Sequence, residues 1–303
     1  EFGGDIEMPL KKYAGAPVLR QPPAEEAYWP GVTVVIAARN AAQTIDGCLS
    51  SIRGLDYPEV EVIVVDDGSS DDTAARARAA GVTVLETGGR CPSVARNMGV
   101  ARARHDIVAF TDSDCVVTPG WLKGLVDVLR RRKAASAGGP QTNVFPAGAG
   151  NDSRDMDAFF SLASVVSDYT RQDEEEREVD HNASCNSAYI KHAFLEAGGF
   201  TEDMYPGEDV DLDFKLRRLG YRCWYAPTAR VHHLRPGTTA WFTDQMRRYG
   251  RIQRELVDRY GRFRPLHYLP HALVAILATQ ALWLPRRTRG LAAALHAAAA
   301  AGA

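Results

Sequence analysis

Two acidic clusters in this 303-residue chain sit where carboxylates can do chemistry. Asp112-Ser113-Asp114 follows the apolar run Ile107-Val108-Ala109-Phe110, which reads as a buried strand emptying into a loop. Two carboxylates at a strand end can hold a hard divalent cation, and with it a diphosphate. Glu208-Asp209 comes after Pro206-Gly207 and before Val210, Phe214 and Leu216, so it opens a helix. A carboxylate there is favoured in its charged form by the helix dipole, and it can take a proton from an attacking hydroxyl. The two clusters together describe metal-assisted transfer of a group from a diphosphate to a hydroxyl.

Asp-x-Asp by itself is cheap. The chain holds it at Asp112/Asp114, Asp155/Asp157, Asp209/Asp211 and Asp211/Asp213. The pair at 155 and 157 lies in a polar stretch with no strand before it and reads as solvated. Acids in a first helical turn are also favoured by the macrodipole alone. Context, not spacing, has to separate function from packing.

The elements that would position these residues alternate. Strands are expected at 33–38, 61–65, 82–85 and 106–110, with helices running to Ile52 and to Ala80, over 93–103, and from Pro119 at a first turn. Short strands separated by helices imply crossover connections and a mainly parallel, doubly wound α/β sheet flanked by helices. Ligands of such sheets lie beyond the carboxyl ends of the strands. Arg39-Asn40, Asp66-Asp67 and Asp112-x-Asp114 all fall there. Neither GxGxxG after the first strand nor GxxxxGK[ST] nor GxSxG is present, which excludes a dinucleotide oxidoreductase, a P-loop NTPase and a nucleophile-elbow hydrolase. Without a glycine cradle a diphosphate needs a metal and a cation, and Asp112, Asp114 and Arg96 can supply them.

The net charge of −2 conceals an asymmetry: ten Arg from 236 onward against Asp244, Glu255 and Asp258 leave the tail at +7 and the remainder at −9. A basic tail predicts an anionic surface, membrane headgroups or phosphates, and no module for nucleic acid accompanies it. Cys48, Cys91, Cys115, Cys185 and Cys223 are scattered and lack a CxxC pair, which predicts a reducing compartment, hence a cytoplasmic protein. Cys115 reads as a buried thiol after a strand.

A series of motifs extends the case: VTVVIAARNAAQTI at 32–45, VIVVDDGSSDDT at 62–73, VARNMGVARA at 94–103, IVAFTDSD at 107–114, AGGF at 197–200, PGEDVDLDFKLRRLGYR at 206–222 and APTARVHH at 226–233. In this order, over residues 31–235, the chain resembles the inverting glycosyltransferases of family 2, which have the GT-A fold. The resemblance implies transfer of a sugar from a nucleoside-diphosphate sugar, UDP favoured over GDP, to a hydroxyl acceptor that is a glycan, a lipid-linked sugar or a small molecule. It implies Mn2+ or Mg2+ as cofactor. Asp67 would accept a hydrogen bond from the base, walled by Ala37 and Arg39. Asp112 would contact ribose and metal, Asp114 would ligate the metal, and Asp209 would be the general base with Glu208 beside it. His232 or His233 would be a third ligand, since imidazole suits manganese.

The resemblance also divides the chain. Residues 1–30 form an arm, 31–235 the catalytic domain (nucleotide half about 31–115, acceptor half about 116–235), and 236–303 a basic, apolar helical extension. Gln245-Met246-Arg247-Arg248-Tyr249 resembles the QxxRW element of membrane polysaccharide synthases, with Tyr in the place of Trp, so Trp241, Gln245, Arg248 and Tyr249 become acceptor candidates. A helical stripe of Phe242, Met246, Tyr249, Leu256 and Tyr260 suits packing on the core equally well. Ala272–Leu284, flanked by Arg262, Arg264, Arg286, Arg287 and Arg289, predicts peripheral attachment at the inner face of the membrane, or a dimer-forming helix, rather than a span. Two other classes stay open: a nucleotidyltransferase of the same fold type, though the glycine-rich loop after its first strand is missing, and a sugar-binding module without catalysis.

Overall fold

The structure is a computed structural model that describes residues 29–145 and 174–261. The arm up to residue 28, the Asp155/Asp157 pair and everything from 262, including the apolar stretch and its flanking arginines, lie outside the described residues.

Strand β1 (Val32–Ala38) is the centre of the first half. It pairs in parallel with β2 (Val60–Asp66) on one side and β4 (Ile107–Asp112) on the other, and β3 (Thr83–Glu86) adds to β2. The runs of β1 and β4 are buried on both faces, as parallel strands under crossover helices are, β2 becomes so from Ile63 on, and the edge strand β3 stays partly exposed. The order β3-β2-β1-β4 places a topological switch between β1 and β4, where their ends part. Helices α1 (Ile45–Arg53), α2 (Thr73–Ala79) and α3 (Pro92–Arg102) make the crossovers. Pro92 occupies the first turn of α3. Pro119 does not start a helix: α4 (Trp121–Arg132) is capped at Gly120, and Pro119 lies in the preceding turn, closed by Trp121 N–H donating to Thr118 C=O.

The second half departs from the mainly parallel expectation. Strand β9 (Asn186–Ile190) runs antiparallel to both β4 and β6 (Ser136–Gly138). Beyond them β10 (Cys223–Tyr225) is parallel to β6, and β8 (Arg177–Glu178) closes the edge antiparallel to β10. The sheet is therefore parallel from β3 to β4 and mixed beyond it, because the chain enters β9 from the end opposite to β4. Phe110, Tyr189, Phe194 and Phe200 pack edge-on at this junction, with ring centres 5.1–6.3 Å apart. A second sheet, absent from the sequence expectation, joins β5 (Cys115–Val117), β11 (Val231–Leu234) and β7 (Gln141–Val144). Helices α5 (Lys191–Glu196), α6 (Glu208–Arg218) and α7 (Thr239–Tyr260) complete the described fold. Among the described residues no helix is long and apolar enough to cross a membrane.

Helix α7 is held by its apolar stripe. Ile252 and Leu256 bury against Met204 and Val210, and Tyr260 stacks on Phe214 at 4.0 Å. Ile252 comes so close to the start of α6 that a Cβ at Gly207 would meet it at 2.9 Å. Helix α7 and the acidic helix mouth are thus one packed unit.

Inside α6, Asp213 is fully buried and accepts from Asn182 N–H at 2.7 Å. Burial, seconded by the Asp209 charge, lifts its carboxyl from 3.8 to about 7 against the pull of that hydrogen bond. An acid that holds its proton more tightly when folded makes the native state lose stability as pH rises from 3.8 to about 7, with the deficit fully present above. Asp213→Asn keeps the acceptor and removes the titration. It should flatten the decline in melting temperature across that window and add on the order of 1–3 kcal/mol on its alkaline side. An unaltered pH profile by thermal unfolding would place the titrating group elsewhere.

Candidate active site

The loops after β1 and β2 are joined by side chains. Asn40 N–H donates to Ser69 Oγ and Asn40 Oδ1 accepts from Ser70 N–H, both at 2.9 Å, while Ala41 N–H donates to Thr73 Oγ1 at 2.7 Å. Asp66, 5% exposed, turns inward and caps Ser69. Asp67 is only 2% exposed; its Oδ1 accepts from Arg90 N–H at 2.7 Å and from the Thr87 hydroxyl. A Cβ at Gly68 would meet the backbone of Gly89 at 2.8 Å, so glycine is needed for loops 66–70 and 87–90 to touch. Ala37 is half-buried and stands opposite Asp112 in the register, and Arg39 is exposed just past the end of β1.

At the end of β4 the acidic pair meets a histidine. Oxygens of Asp112 and Asp114 and a ring nitrogen of His233 lie within 4.8 Å of one another. Strand alternation chooses between the two histidines. β11 pairs with β5 so that His233 stands opposite Cys115 and His232 opposite Val116, and only His233 turns inward, 4% exposed. His233 Nε2 is 3.1 Å from Asp114 Oδ1. Burial and the Arg235 charge both push the imidazole down, yet the Asp114 carboxylate outweighs them and holds it up at about 9. Burial alone would raise the Asp114 carboxyl, but His233 and Arg235 keep it below its ordinary value. Two carboxylates and an imidazole form a donor set that fits Mn2+, or Mg2+ with more retained water.

Arg96 is not at the surface. It is 3% exposed, with Nη2 donating to Asp112 Oδ1 at 2.7 Å and Nη1 to Glu208 Oε1 at 2.8 Å. With both amino groups donating to carboxylates, the guanidinium ties the end of β4 to the mouth of α6. Glu208 is 2% exposed and also accepts from Ser184 Oγ at 3.1 Å and Gly207 N–H at 3.0 Å. Burial and the neighbouring Asp209 raise its carboxyl to about 7, with Arg96 pulling it down. Asp209, half-buried in the first turn of α6, accepts from Ser184 N–H at 3.1 Å. The chain of contacts Asp112–Arg96–Glu208–Ser184–Asp209 therefore runs from strand end to helix mouth.

The α7 candidates form their own group. Gln245 Nε2 donates to the Tyr249 hydroxyl and Arg248 Nη2 to Gln245 Oε1, each at 2.7 Å, and Trp241 lies 5.5 Å from the buried Arg235 guanidinium. Ser184, Gln141 and Arg235 were missed by sequence reasoning. Ser184 acts partly through a main-chain N–H, which no residue type advertises, and Arg235 had only its position two residues after His233 to suggest it.

Parallel strands around a switch point, a carboxylate pair with an inward histidine, and an acidic helix mouth define a GT-A glycosyltransferase fold. The profile described as Glycosyl transferase family 2 matches residues 33–198, more than half of the chain, and the chain belongs to that family. It is 32% identical over 214 residues to the pre-mycofactocin glycosyltransferase of Mycobacterium tuberculosis (strain ATCC 25618 / H37Rv), covering 67% of this chain and 42% of that protein. It is 26% identical over 240 residues to the poly-beta-1,6-N-acetyl-D-glucosamine synthase of Staphylococcus aureus (strain COL), covering 76% and 56%. The chain thus spans about half the length of the curated relatives it matches. Among solved structures, the mannosyltransferase PcManGT from Pyrobaculum calidifontis, in complex with GDP-Man and Mn2+, superposes with a TM-score of 0.66 at 23% identity, over 91% of this chain and 86% of that one. GalNAc-T7 with UDP, GalNAc and Mn2+ gives 0.58 at 16%, over 82% and 51%. These two likenesses support the fold.

Proposed function

We propose that the chain transfers a sugar from a nucleoside-diphosphate sugar to a hydroxyl acceptor by a single, inverting displacement. The observation that carries this is the convergence of Asp112, Asp114 and His233 within 4.8 Å at the end of β4, tied through Arg96 to the Glu208–Asp209 helix mouth. A divalent cation held by Asp112, Asp114 and His233 would neutralise charge on the leaving diphosphate. Asp67, Ala37 and Arg39 would receive the base. Asp209, oriented by Ser184 N–H, would accept the proton of the attacking hydroxyl. Arg96 would position Asp112 and Glu208 without touching the donor. Trp241, Gln245, Arg248 and Tyr249 would border the acceptor.

UDP and GDP are separated by measurement. A thermal-shift titration with each diphosphate, with and without Mn2+, should show stabilisation by one of them that requires the metal. Asp114→Ala should abolish the metal requirement together with most of the shift. A donor shift that survives excess chelator, or an unaffected variant, would remove the carboxylate pair from donor binding. Release of a nucleoside diphosphate, not pyrophosphate, separates this reading from nucleotidyl transfer.

A further inference from the structure

Behind the carboxylate pair lies a second set of donors of different chemical character. Sγ of Cys115, Sγ of Cys185 and a ring nitrogen of His233 lie within 4.8 Å of one another, and all three residues are buried, at 0%, 6% and 4% exposure. The placement follows from pairing: β11 sets His233 opposite Cys115, and Cys185 immediately precedes β9, which borders β4. His233 presents two faces. Nε2 is engaged by Asp114 at 3.1 Å, while Nδ1 is buried with no hydrogen-bond partner. Histidines that ligate a metal through one nitrogen commonly give the other N–H to a carboxylate, which fixes the ring and makes it a better ligand. Asp114 already stands in that relation to His233. Gln141 Oε1, 3.2 Å from Cys185 Sγ, offers a neutral oxygen at the same spot.

We propose that Cys115, Cys185 and the Nδ1 side of His233 form a site for a thiophilic divalent cation of the zinc class, distinct from the hard-cation site of Asp112 and Asp114. Two thiolates with an imidazole select Zn2+ or Cd2+ over Mn2+ or Mg2+, and three protein ligands leave a fourth position for Gln141 or water. Binding releases the two thiol protons and, from the charged imidazole, the Nδ1 proton to solvent, and no electrons move. The two sites share His233 and Asp114. With the soft cation on Nδ1, Asp114 is retained as the partner of Nε2 and the hard-cation site loses its imidazole. Zinc should therefore oppose manganese, a consequence that rests on the donor-metal reading above. Two thiols packed together as small apolar groups are the plain alternative.

Cd2+ alone, titrated into the full chain, tests the site without reference to catalysis. The near-ultraviolet charge-transfer band of cadmium thiolate should saturate at one equivalent. Cys115→Ala and Cys185→Ala, each checked for an unchanged far-ultraviolet spectrum, should each cut the band and weaken Cd2+ binding by at least about tenfold. Cys185→Ala is the milder truncation and serves if Cys115→Ala fails to fold. A wild-type chain without the band, or a folded variant that keeps it in full, overturns the site. In a second arm, stoichiometric Zn2+ should suppress the Mn2+-dependent nucleotide shift in the wild type and leave it in Cys185→Ala. A cadmium band without that suppression upholds the site and overturns its link to Asp114.

Discussion

Asp209→Asn should leave donor binding intact and slow sugar transfer by on the order of a hundredfold or more. The substitution keeps the shape and one of the two oxygens, which accept Ser184 N–H at 3.1 Å and Val210 N–H at 2.8 Å, so thermal unfolding of the variant should accompany the kinetics. What it removes is the ability to take a proton. A single displacement needs that base on the face of the sugar opposite the leaving diphosphate, and product NMR should therefore show an anomeric configuration opposite to the donor's. A near-normal turnover number in Asp209→Asn, or a retained configuration, would transfer the role to another group. Glu208 is the obvious neighbour, but at 2% exposure and with three donors on its carboxylate it has no access to an acceptor.

The parts of this site that could be read in the chain are those set by local pattern. The apolar runs of β1, β2 and β4 announce buried strands, and the acids at their ends follow from where such strands stop. The opening of α6 at Glu208 is equally local. What could not be read depends on contacts between distant segments. Gln141–Val144 and Val231–Leu234 are four-residue, half-polar stretches whose only reason to be strands is each other and Cys115–Val117. Until that sheet is known, His232 and His233 are equivalent; once it is known, the period of two decides at once. The same holds for the antiparallel entry of β9, which no turn signal foretells.

Arg96 is the clearest case. An arginine on this helix invites assignment to the diphosphate, and nothing local reveals the two carboxylates that it pairs with. Its partner Glu208 is 112 residues away in sequence. Buried between two carboxylates, the side chain has become a strut.

That change of role makes a quantitative difference. Arg96→Met should destabilise the fold by about 3–5 kcal/mol, because removing one partner of a buried ion pair strands the other. The cost should fall chiefly on Glu208, since Asp112 keeps 27% of its side chain exposed and can be solvated, whereas Glu208 keeps 2%. Without Arg96 the Glu208 carboxyl should rise above the value of about 7 that burial and Asp209 already give it. A folded-state value raised above the ordinary 4.5 means stability lost as pH climbs, so the deficit should deepen toward alkaline pH. Glu208→Gln in the Arg96→Met background removes the stranded charge and should restore part of the loss and flatten its pH dependence. Urea unfolding of the four proteins at several pH values gives the coupling directly. Were Arg96 instead a diphosphate ligand, the single variant would lose donor affinity with its unfolding midpoint unchanged, and Glu208→Gln would rescue nothing.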